Sequence, residues 1–178
     1  MSQAVLMSIK PEWVEKIFCA GKAYEMRKTK PSLQVPFKVY VYCTYGKTLY
    51  RSVDDDEIRL FDKQNVLNGK VMGEFMCYDI EDYPYYDKVL AGYYNSMLYL
   101  DEAMIDAYGK GKPLYLWSIW DRVVYDKPKE LSEFKRWNRT EDNVPCAHTK
   151  VLYAPCETCT ACDVTRPPQS WMYVEGLE

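Results

Sequence analysis

Three charged side chains follow the first turn signal of the chain at a spacing that could serve a ligand. Gly21 is followed by Lys22, Glu25 and Arg27. If a strand follows this turn, Glu25 and Arg27 share one face and Lys22 leaves the turn beside them. An arginine binds phosphate or a planar acceptor, a carboxylate accepts from an amine, and a lysine with a shifted pKa acts as a base. The trio suits a nucleobase or nucleotide, whereas a surface strand with a weak Glu–Arg ion pair is the alternative.

A lone carboxylate interrupts an otherwise apolar strand candidate later in the chain. Glu74 lies within the segment Val71–Ile80. A buried acid needs a partner or a functional role, because an unpaired buried charge is costly. Strand alternation predicts that one face of this segment carries Met72, Glu74, Met76 and Tyr78. The pattern leaves open whether that face meets solvent or a pocket.

Local patterns predict the elements that position these side chains. A short amphipathic helix is expected over Ser8–Ala20, because Pro11 suits a first helical turn and Gly21 suits the C-terminal stop. Two further helices are expected, over Asp101–Tyr108 and Lys129–Trp137. Residues of high β-propensity predict strands over Phe37–Thr44, Val71–Ile80, Leu114–Tyr125 and Trp171–Val174.

The predicted elements favour an α+β fold in one domain, residues 1–178. Short strands dominate and the helices are peripheral, so the expected architecture is a small mixed β-barrel with short helices at its edges. Segments 46–69 and 81–95 are expected to be long loops, which often carry function. A chain of 178 residues can bury enough apolar surface to fold without disulfides or metals.

Composition limits the classes of partner. The formal net charge of −3 excludes a protein that coats nucleic acid by bulk attraction to phosphates, so any such contact must be local. The acidic run Asp54–Glu57 is expected to be a solvated loop. Because the chain has neither an apolar stretch of about 20 residues nor a signal-peptide pattern, we expect no membrane partner and a cytoplasmic location.

The seven cysteines fall into two groups. Cys19, Cys43 and Cys77 have apolar neighbours and are expected to be small core residues, so a disulfide framework is disfavoured. The second group, which includes the only histidine of the chain, is Cys146, His148, Cys156, Cys159 and Cys162. Zinc takes four such ligands in a tetrahedron, so a structural zinc site is one hypothesis. Free thiols in a loop and a redox or cluster role are the alternatives, and no cofactor is expected to be required.

Five motifs follow one another along the chain: Ser8-Ile9-Lys10-Pro11, Lys22-x-x-Glu25-x-Arg27, the Gly73-Glu74 strand, the Trp117 strand that runs into Tyr125-Asp126-Lys127-Pro128-Lys129, and Arg166-Pro167-Pro168-Gln169-Ser170-Trp171. In this order they resemble the ASCH family, a branch of the PUA-like β-barrels. The compact single-domain form is similar to prokaryotic and phage members. The segment at about 144–165 lies outside the common family core and resembles a Cys-rich insertion.

The resemblance implies a PUA-like barrel with a cleft beside the first helix, suited to RNA or a modified nucleoside. One branch of the family hydrolyses the acetyl amide of N4-acetylcytidine with a lysine, a threonine and a glutamate. Lys22 matches that lysine, Glu25 stands at the threonine position, and Glu74 is a looser match for the glutamate. The ligand-binding residues that the resemblance implies are Lys10, Lys22, Glu25, Arg27 and Glu74.

Binding without turnover is the leading hypothesis. Glu25 has no hydroxyl, so a mechanism in which this position acts as nucleophile or proton relay does not transfer. The first alternative is an amidohydrolase for an N4-acylated cytidine-type substrate, with Lys22, Glu25 and Glu74 as catalytic residues. The second alternative is a small protein-interaction factor of a mobile element, for which a protein partner rather than RNA would be expected.

Overall fold

A mixed five-stranded sheet is the centre of the fold in the computed structural model, which describes residues 2–51, 58–60, 66–137 and 163–177. The described elements, in chain order, are β1 (Gln3–Ile9), α1 (Pro11–Phe18), β2 (Tyr24–Arg27), β3 (Phe37–Cys43), β4 (Leu49–Arg51), β5 (Ile58–Leu60), β6 (Val71–Cys77), β7 (Ile80–Asp82), α2 (Lys88–Leu98), α3 (Glu102–Gly109), β8 (Tyr115–Ser118), β9 (Trp120–Lys129), a 3₁₀ turn (Leu131–Glu133) and β10 (Trp171–Glu175). The central sheet has the order β10-β1-β3-β6-β9, with β1 and β3 parallel and the other neighbours antiparallel.

The predicted α+β class is confirmed, but the described strands do not close into a barrel. Two smaller sheets, β2-β8-β7 and β4-β5, accompany the central one. β2 and β7 pair with β8 instead of with the central sheet, so the strands are divided among three sheets. The mixed sheets and their peripheral helices therefore replace the closed barrel that the patterns predict.

Both faces of the central sheet are buried, as β3 shows. Val39 and Val41 point toward α1 and pack in one apolar cluster with Val14. Tyr40 points to the opposite side, where its ring lies edge-on to Phe134 with 5.0 Å between the ring centroids. The strand predicted over Phe37–Thr44 is therefore present as β3 with side chains that alternate between the two faces, and the α1 side holds the larger part of the core.

The sequence patterns predict no strand before Ser8, yet β1 lies inside the central sheet. Nearly all of its residues are buried, and a strand buried on both faces is a continuous apolar run without alternation. Ser8 therefore belongs to β1 rather than to the predicted helix. The helix begins at Pro11, because Lys10 still has an extended backbone with φ −71° and ψ 149°.

Two short helices cover the sheet that contains β2. The Asp87 side chain accepts from the backbone N–H groups at the start of α2, and the Asp101 side chain caps α3 in the same way. Both helices pack on Met26 of β2 and Leu116 of β8. The helix predicted over Asp101–Tyr108 is confirmed, whereas the loop predicted over 81–95 is wrong because β7 and most of α2 lie there.

Three other predicted boundaries differ from the structure. The predicted strand Leu114–Tyr125 is two strands, β8 and β9, and Asp121 near their junction has a positive φ of 45°. The helix predicted over Lys129–Trp137 is wrong, because β9 runs to Lys129 and only a 3₁₀ turn follows. The segment 46–69, predicted as a loop, contains β4 and β5, while the strand over Trp171–Val174 is confirmed as β10.

A bulge in β6 explains why Met72 and Glu74 do not share a face. The register of β6 against β9 shifts between Val71 and Gly73. Met72 therefore packs in the cluster beside α1, whereas Glu74 pairs with Tyr40 on the opposite face. The bulge requires Gly73, since an added Cβ there would lie 2.4 Å from a β9 carbonyl oxygen.

The zinc prediction falls on residues outside the described part of the chain. All five of its ligand candidates lie between residues 138 and 162, and the acidic run Asp54–Glu57 is also outside. Among the described residues there is no group of three or more histidine, cysteine, aspartate or glutamate side chains placed to hold a metal ion. None of the described helices is long and apolar enough to cross a membrane.

Candidate ligand-binding cavity

A tight turn brings Lys22 back beneath α1. Gly21 has a φ of +74°, which a glycine adopts without strain. The Lys22 N–H then donates to the Lys16 carbonyl at 2.9 Å, and the Ala23 N–H donates to the Met97 carbonyl at 3.2 Å. These bonds anchor the turn to α1 and α2 and set the start of β2 immediately after it.

Pairing of β2 with β8 brings the charged groups together. Lys22 Nζ lies 2.5 Å from Glu25 Oε2, and Arg27 Nη2 lies 2.9 Å from Glu25 Oε1. Lys22 Nζ also donates to the Tyr24 carbonyl at 2.7 Å, and Arg27 Nη2 donates to the Ser8 carbonyl at 2.9 Å. The convergence that the spacing predicts is thus present in the structure. We name this set of Lys22, Glu25 and Arg27 the charged triad.

The triad is more deeply buried than a surface strand would allow. Lys22 is 2% exposed, and Glu25 and Arg27 are each 7% exposed. Burial lowers the pKa of Lys22, and the adjacent Glu25 carboxylate offsets only part of that effect. Burial also acts to raise the pKa of Glu25, but the Lys22 ammonium and the Arg27 guanidinium outweigh it and hold the pKa below its ordinary value. Glu25 is therefore an ionised counterion to two buried cations.

The triad lies on the wall of a cavity of about 970 Å³ beside α1, which we name the α1 cavity. Aromatic side chains contribute much of the remaining wall. Trp13 comes from α1, Tyr45 follows β3, and Tyr108 comes from α3. Lys28 Nζ lies 4.7 Å from the centroid of the Tyr108 ring. Ligand sites commonly combine such apolar walls with a few convergent polar groups.

A distant segment of the chain forms another wall of the α1 cavity. Residues 167–170 line it, and β10 follows them directly. The Ser8 hydroxyl donates to the Pro168 carbonyl at 2.6 Å, and the Ser8 N–H donates to the Ser170 carbonyl at 2.9 Å. Arg27 Nη1 lies 3.4 Å from the Ser170 hydroxyl. Ser8 was not among the predicted site residues, although its place in the Ser8-Ile9-Lys10-Pro11 motif could have indicated it.

The structure brings four of the five predicted ligand-binding residues together. Lys10 lines the α1 cavity with the charged triad, whereas Glu74 does not. The Glu74 carboxylate lies 2.7 Å from Lys38 Nζ and accepts from the Tyr125 hydroxyl at 2.5 Å, on the face of the central sheet opposite α1. The prediction that Glu74 joins the same cleft is corrected, because the β6 bulge sets its direction.

The described cysteines agree only in part with the expected core role. Cys43 and Cys77 are buried, and burial raises the pKa of each thiol to about 12. Cys19 is exposed instead, and its thiol donates to the Ile58 carbonyl at 3.5 Å. Cys19 is therefore not a core residue, because it caps the C-terminal end of α1.

No protein-family model matches the sequence, and no curated protein matches it. Solved structures do match its fold. The ASCH protein from Zymomonas mobilis aligns with a TM-score of 0.58 and 16% identity over 97% of this chain and 87% of that chain. A serine-to-alanine variant of that protein aligns with a TM-score of 0.57 and 15% identity over 97% of this chain and 88% of that chain. A tyrosine-to-phenylalanine variant aligns with a TM-score of 0.51 and 17% identity over 72% of this chain and 76% of that chain. Identities this low indicate a shared fold and nothing further. The structural match therefore assigns this chain an ASCH-type, PUA-like α+β fold.

Proposed function

We propose that the α1 cavity binds RNA or a modified nucleoside. The observation that carries this proposal is the charged triad, buried on the wall of a cavity that is open to a ligand and flanked by aromatic rings. Protein interiors keep such charges only where partners or a function compensate their burial. The ASCH-type fold is compatible with the proposal, because the family resemblance implies a cleft for RNA in this position.

Aromatic rings at the cavity support recognition of an unpaired base. Tyr45 lines the α1 cavity and is 80% exposed, and Tyr108 is partly exposed beside Lys28. Single-stranded RNA is commonly bound by stacking of bases on such rings, and each stacked base contributes about 1–3 kcal/mol. A concave site also selects a single strand, since a paired base is not free to enter it. An acidic protein can therefore bind RNA through local contacts.

Titration with short single-stranded RNAs and nucleosides tests the proposal. Tryptophan fluorescence of the full chain is the readout, because Trp13 lines the cavity. Tyr45→Ala is expected to weaken binding about tenfold, the loss of one stacking contact. Tyr86→Ala is the matched control, because Tyr86 is fully exposed and is not a cavity residue. A folded protein that binds none of these ligands, or equal effects of the two variants, would contradict the proposal.

Amide hydrolysis of an N4-acylated cytidine is the second candidate function. The observation that favours it is the position of Lys22 Nζ on the cavity wall, 2.5 Å from the Glu25 carboxylate, where burial lowers the pKa of the lysine. A neutral lysine can act as a base, and a carboxylate can orient water. Glu74 has no part in this candidate, since it lies outside the α1 cavity.

Chromatography of N4-acetylcytidine after incubation with the protein tests this second candidate. Deacetylation is expected, and Lys22→Gln is expected to abolish it while circular dichroism shows that the variant folds. An intact substrate after long incubation at high protein concentration would reject hydrolysis and leave the binding proposal in place.

A further inference from the structure

We infer that the α1 cavity selects ligands that carry a phosphate group attached to a nucleoside, and that it discriminates against the uncharged nucleoside. The inference deepens the proposed function and rests on it. The shared chemistry is a phosphate oxyanion, which a nucleoside monophosphate presents at its end and an RNA strand presents between its sugars.

The charge of the cavity wall has the opposite sign to that of the whole protein. The chain carries a formal net charge of −3. The charged residues on the described wall are nevertheless four cations and a single carboxylate: Lys10, Lys22, Arg27, Lys28 and Glu25. A concave surface with one sign of charge focuses the field and attracts a ligand of the opposite sign. The local charge therefore favours an anion although the whole protein would repel it.

The carboxylate on this wall is already occupied. Glu25 Oε2 is paired with Lys22 Nζ, and Glu25 Oε1 is paired with Arg27 Nη2. Both oxygens are thus engaged by protein cations, which reduces their capacity to accept from an amine of a neutral base. One carboxylate also cannot neutralise two buried cations, so the triad alone has an excess of one positive charge. An anionic ligand would supply the missing counter-charge.

Arg27 retains a hydrogen-bond donor that the described protein atoms do not use. Its Nη2 contacts Glu25 and the Ser8 carbonyl, and its Nη1 lies 3.4 Å from the Ser170 hydroxyl oxygen, which is long for a hydrogen bond. Its Nε is buried and has no hydrogen-bond partner. A buried donor without an acceptor is costly, and guanidinium groups match the oxygens of phosphate particularly well. The Arg27 guanidinium lines the α1 cavity, so it favours an oxyanion there over an uncharged group.

The lysines near the triad provide the remaining attraction. Lys10 and Lys28 are exposed on the wall, and Lys28 Nζ lies 4.7 Å from the centroid of the Tyr108 ring. A cation beside an aromatic ring can contact a phosphate while the ring contacts the attached base or sugar. The wall thus combines a positive site with a stacking surface, as a nucleotide requires and a free nucleoside does not.

Calorimetric titration of the full chain with four ligand sets tests the inference. The sets are the common ribonucleosides, their 5′-monophosphates, homodinucleotides without a terminal phosphate, and the same dinucleotides with a neutral methylphosphonate linkage. A phosphate-bearing set is expected to bind about 10- to 100-fold more tightly than its uncharged counterpart. Tighter binding of the monophosphates than of the nucleosides identifies a terminal phosphate as the recognised group. Tighter binding of the phosphate-linked dinucleotides than of the methylphosphonate forms identifies an internal phosphate.

The outcomes separate this inference from the proposed function. If nucleosides and neutral dinucleotides bind as tightly as the charged sets, the inference is overturned and the proposed function stands. If the folded protein binds no member of any set and no RNA, both are overturned. Binding only by phosphate-bearing ligands, weakened as salt is raised, supports both.

A matched pair of surface variants provides a second test that does not depend on the buried triad. Lys28→Gln removes a cation from the cavity wall, and Lys112→Gln removes an exposed cation elsewhere. Lys28→Gln is expected to weaken binding of the charged ligands and to reduce the salt slope by about one charge. Lys112→Gln should change neither quantity. Equal salt slopes in Lys28→Gln and the wild-type protein would contradict the inference.

Discussion

Replacement of Glu25 by glutamine tests whether this residue is the counterion that keeps two cations buried. The change preserves the shape of the side chain and removes its charge. Lys22 Nζ and Arg27 Nη2 now lie 2.5 Å and 2.9 Å from the two carboxylate oxygens. After the change, Lys22 retains the Tyr24 carbonyl and Arg27 retains the Ser8 carbonyl as acceptors. Neither cation retains an opposite charge within the triad.

The burial of the triad sets the size of the expected effect. Removal of one partner from a buried ion pair destabilises a protein by about 3–5 kcal/mol, because an uncompensated charge remains in the interior. Here the lost carboxylate serves two cations that are almost fully buried. Lys22 can relieve part of the penalty by releasing its proton, since burial already lowers its pKa. We therefore expect the free energy of unfolding to fall by about 3–5 kcal/mol at neutral pH.

The pH dependence of this effect has a definite sign. The pKa of Glu25 in the folded protein lies below its ordinary value of 4.5, because Lys22 and Arg27 together outweigh the opposing effect of burial. Its stabilising contribution is thus complete above pH 4.5 and is lost as the pH falls through the lower folded-state pKa. Glutamine has no such titration. The difference in stability between the two proteins should therefore narrow below pH 4.5.

Urea unfolding of both proteins, followed by circular dichroism between pH 3 and pH 8, measures the effect directly. Glu102→Gln is the matched control, because Glu102 pairs with Lys88 and these side chains are 63% and 73% exposed. The control should unfold within error of the wild-type protein, since exposed ion pairs contribute little. A loss below about 1 kcal/mol for Glu25→Gln would show that the triad is not a buried ion-pair network.

Three further predictions concern the bulge, a helix cap and the charge on Lys22. Gly73→Ala should destabilise the fold by about 1–3 kcal/mol in urea unfolding, because its Cβ would lie 2.4 Å from the Val123 carbonyl oxygen. Gly92→Ala is the control, because Gly92 lies within α2 and an added Cβ there has no neighbour within 4 Å. This variant should stabilise the fold, since alanine favours a helix more than glycine does. Asp101→Ala should cost about 1 kcal/mol in the same assay through loss of the α3 cap. Affinity for a nucleoside monophosphate should fall as pH rises toward 10.5, because the lowered pKa of Lys22 removes its charge before that value; constant affinity in calorimetry would contradict this.

The convergence of the triad could be predicted from the sequence because it is local. Glu25 and Arg27 are two residues apart in β2, so strand alternation alone places them on one side. Gly21 then turns Lys22 toward them. The depth of burial could not be predicted, because it depends on residues distant in sequence that surround the same cavity, among them Tyr108 of α3 and residues 167–170.

The wrong predictions share a physical cause, which is that tertiary pairing overrides local pattern. β1 lies between β3 and β10 in the sheet, and its two faces are buried against α1 on one side and against Phe134 and Val164 on the other. It therefore lacks the alternation that predicts a strand. The direction of Glu74 depends on a bulge whose position is set by β9. By contrast, α2 had a local signal that was available, since Asp87 is an N-cap residue with two backbone donors.

The two candidate functions require different protonation states of Lys22. Binding of a phosphate requires the charged ammonium, which the Glu25 carboxylate at 2.5 Å stabilises. Catalysis by a lysine base requires the neutral amine, which forfeits that ion pair. Glu25, at the position where the amidohydrolase branch of the resembled family has a threonine, therefore favours the protonated state of its neighbour and supplies no hydroxyl. Anion affinity should fall with rising pH while any hydrolysis should increase, so one pH series measured for both activities separates the candidates.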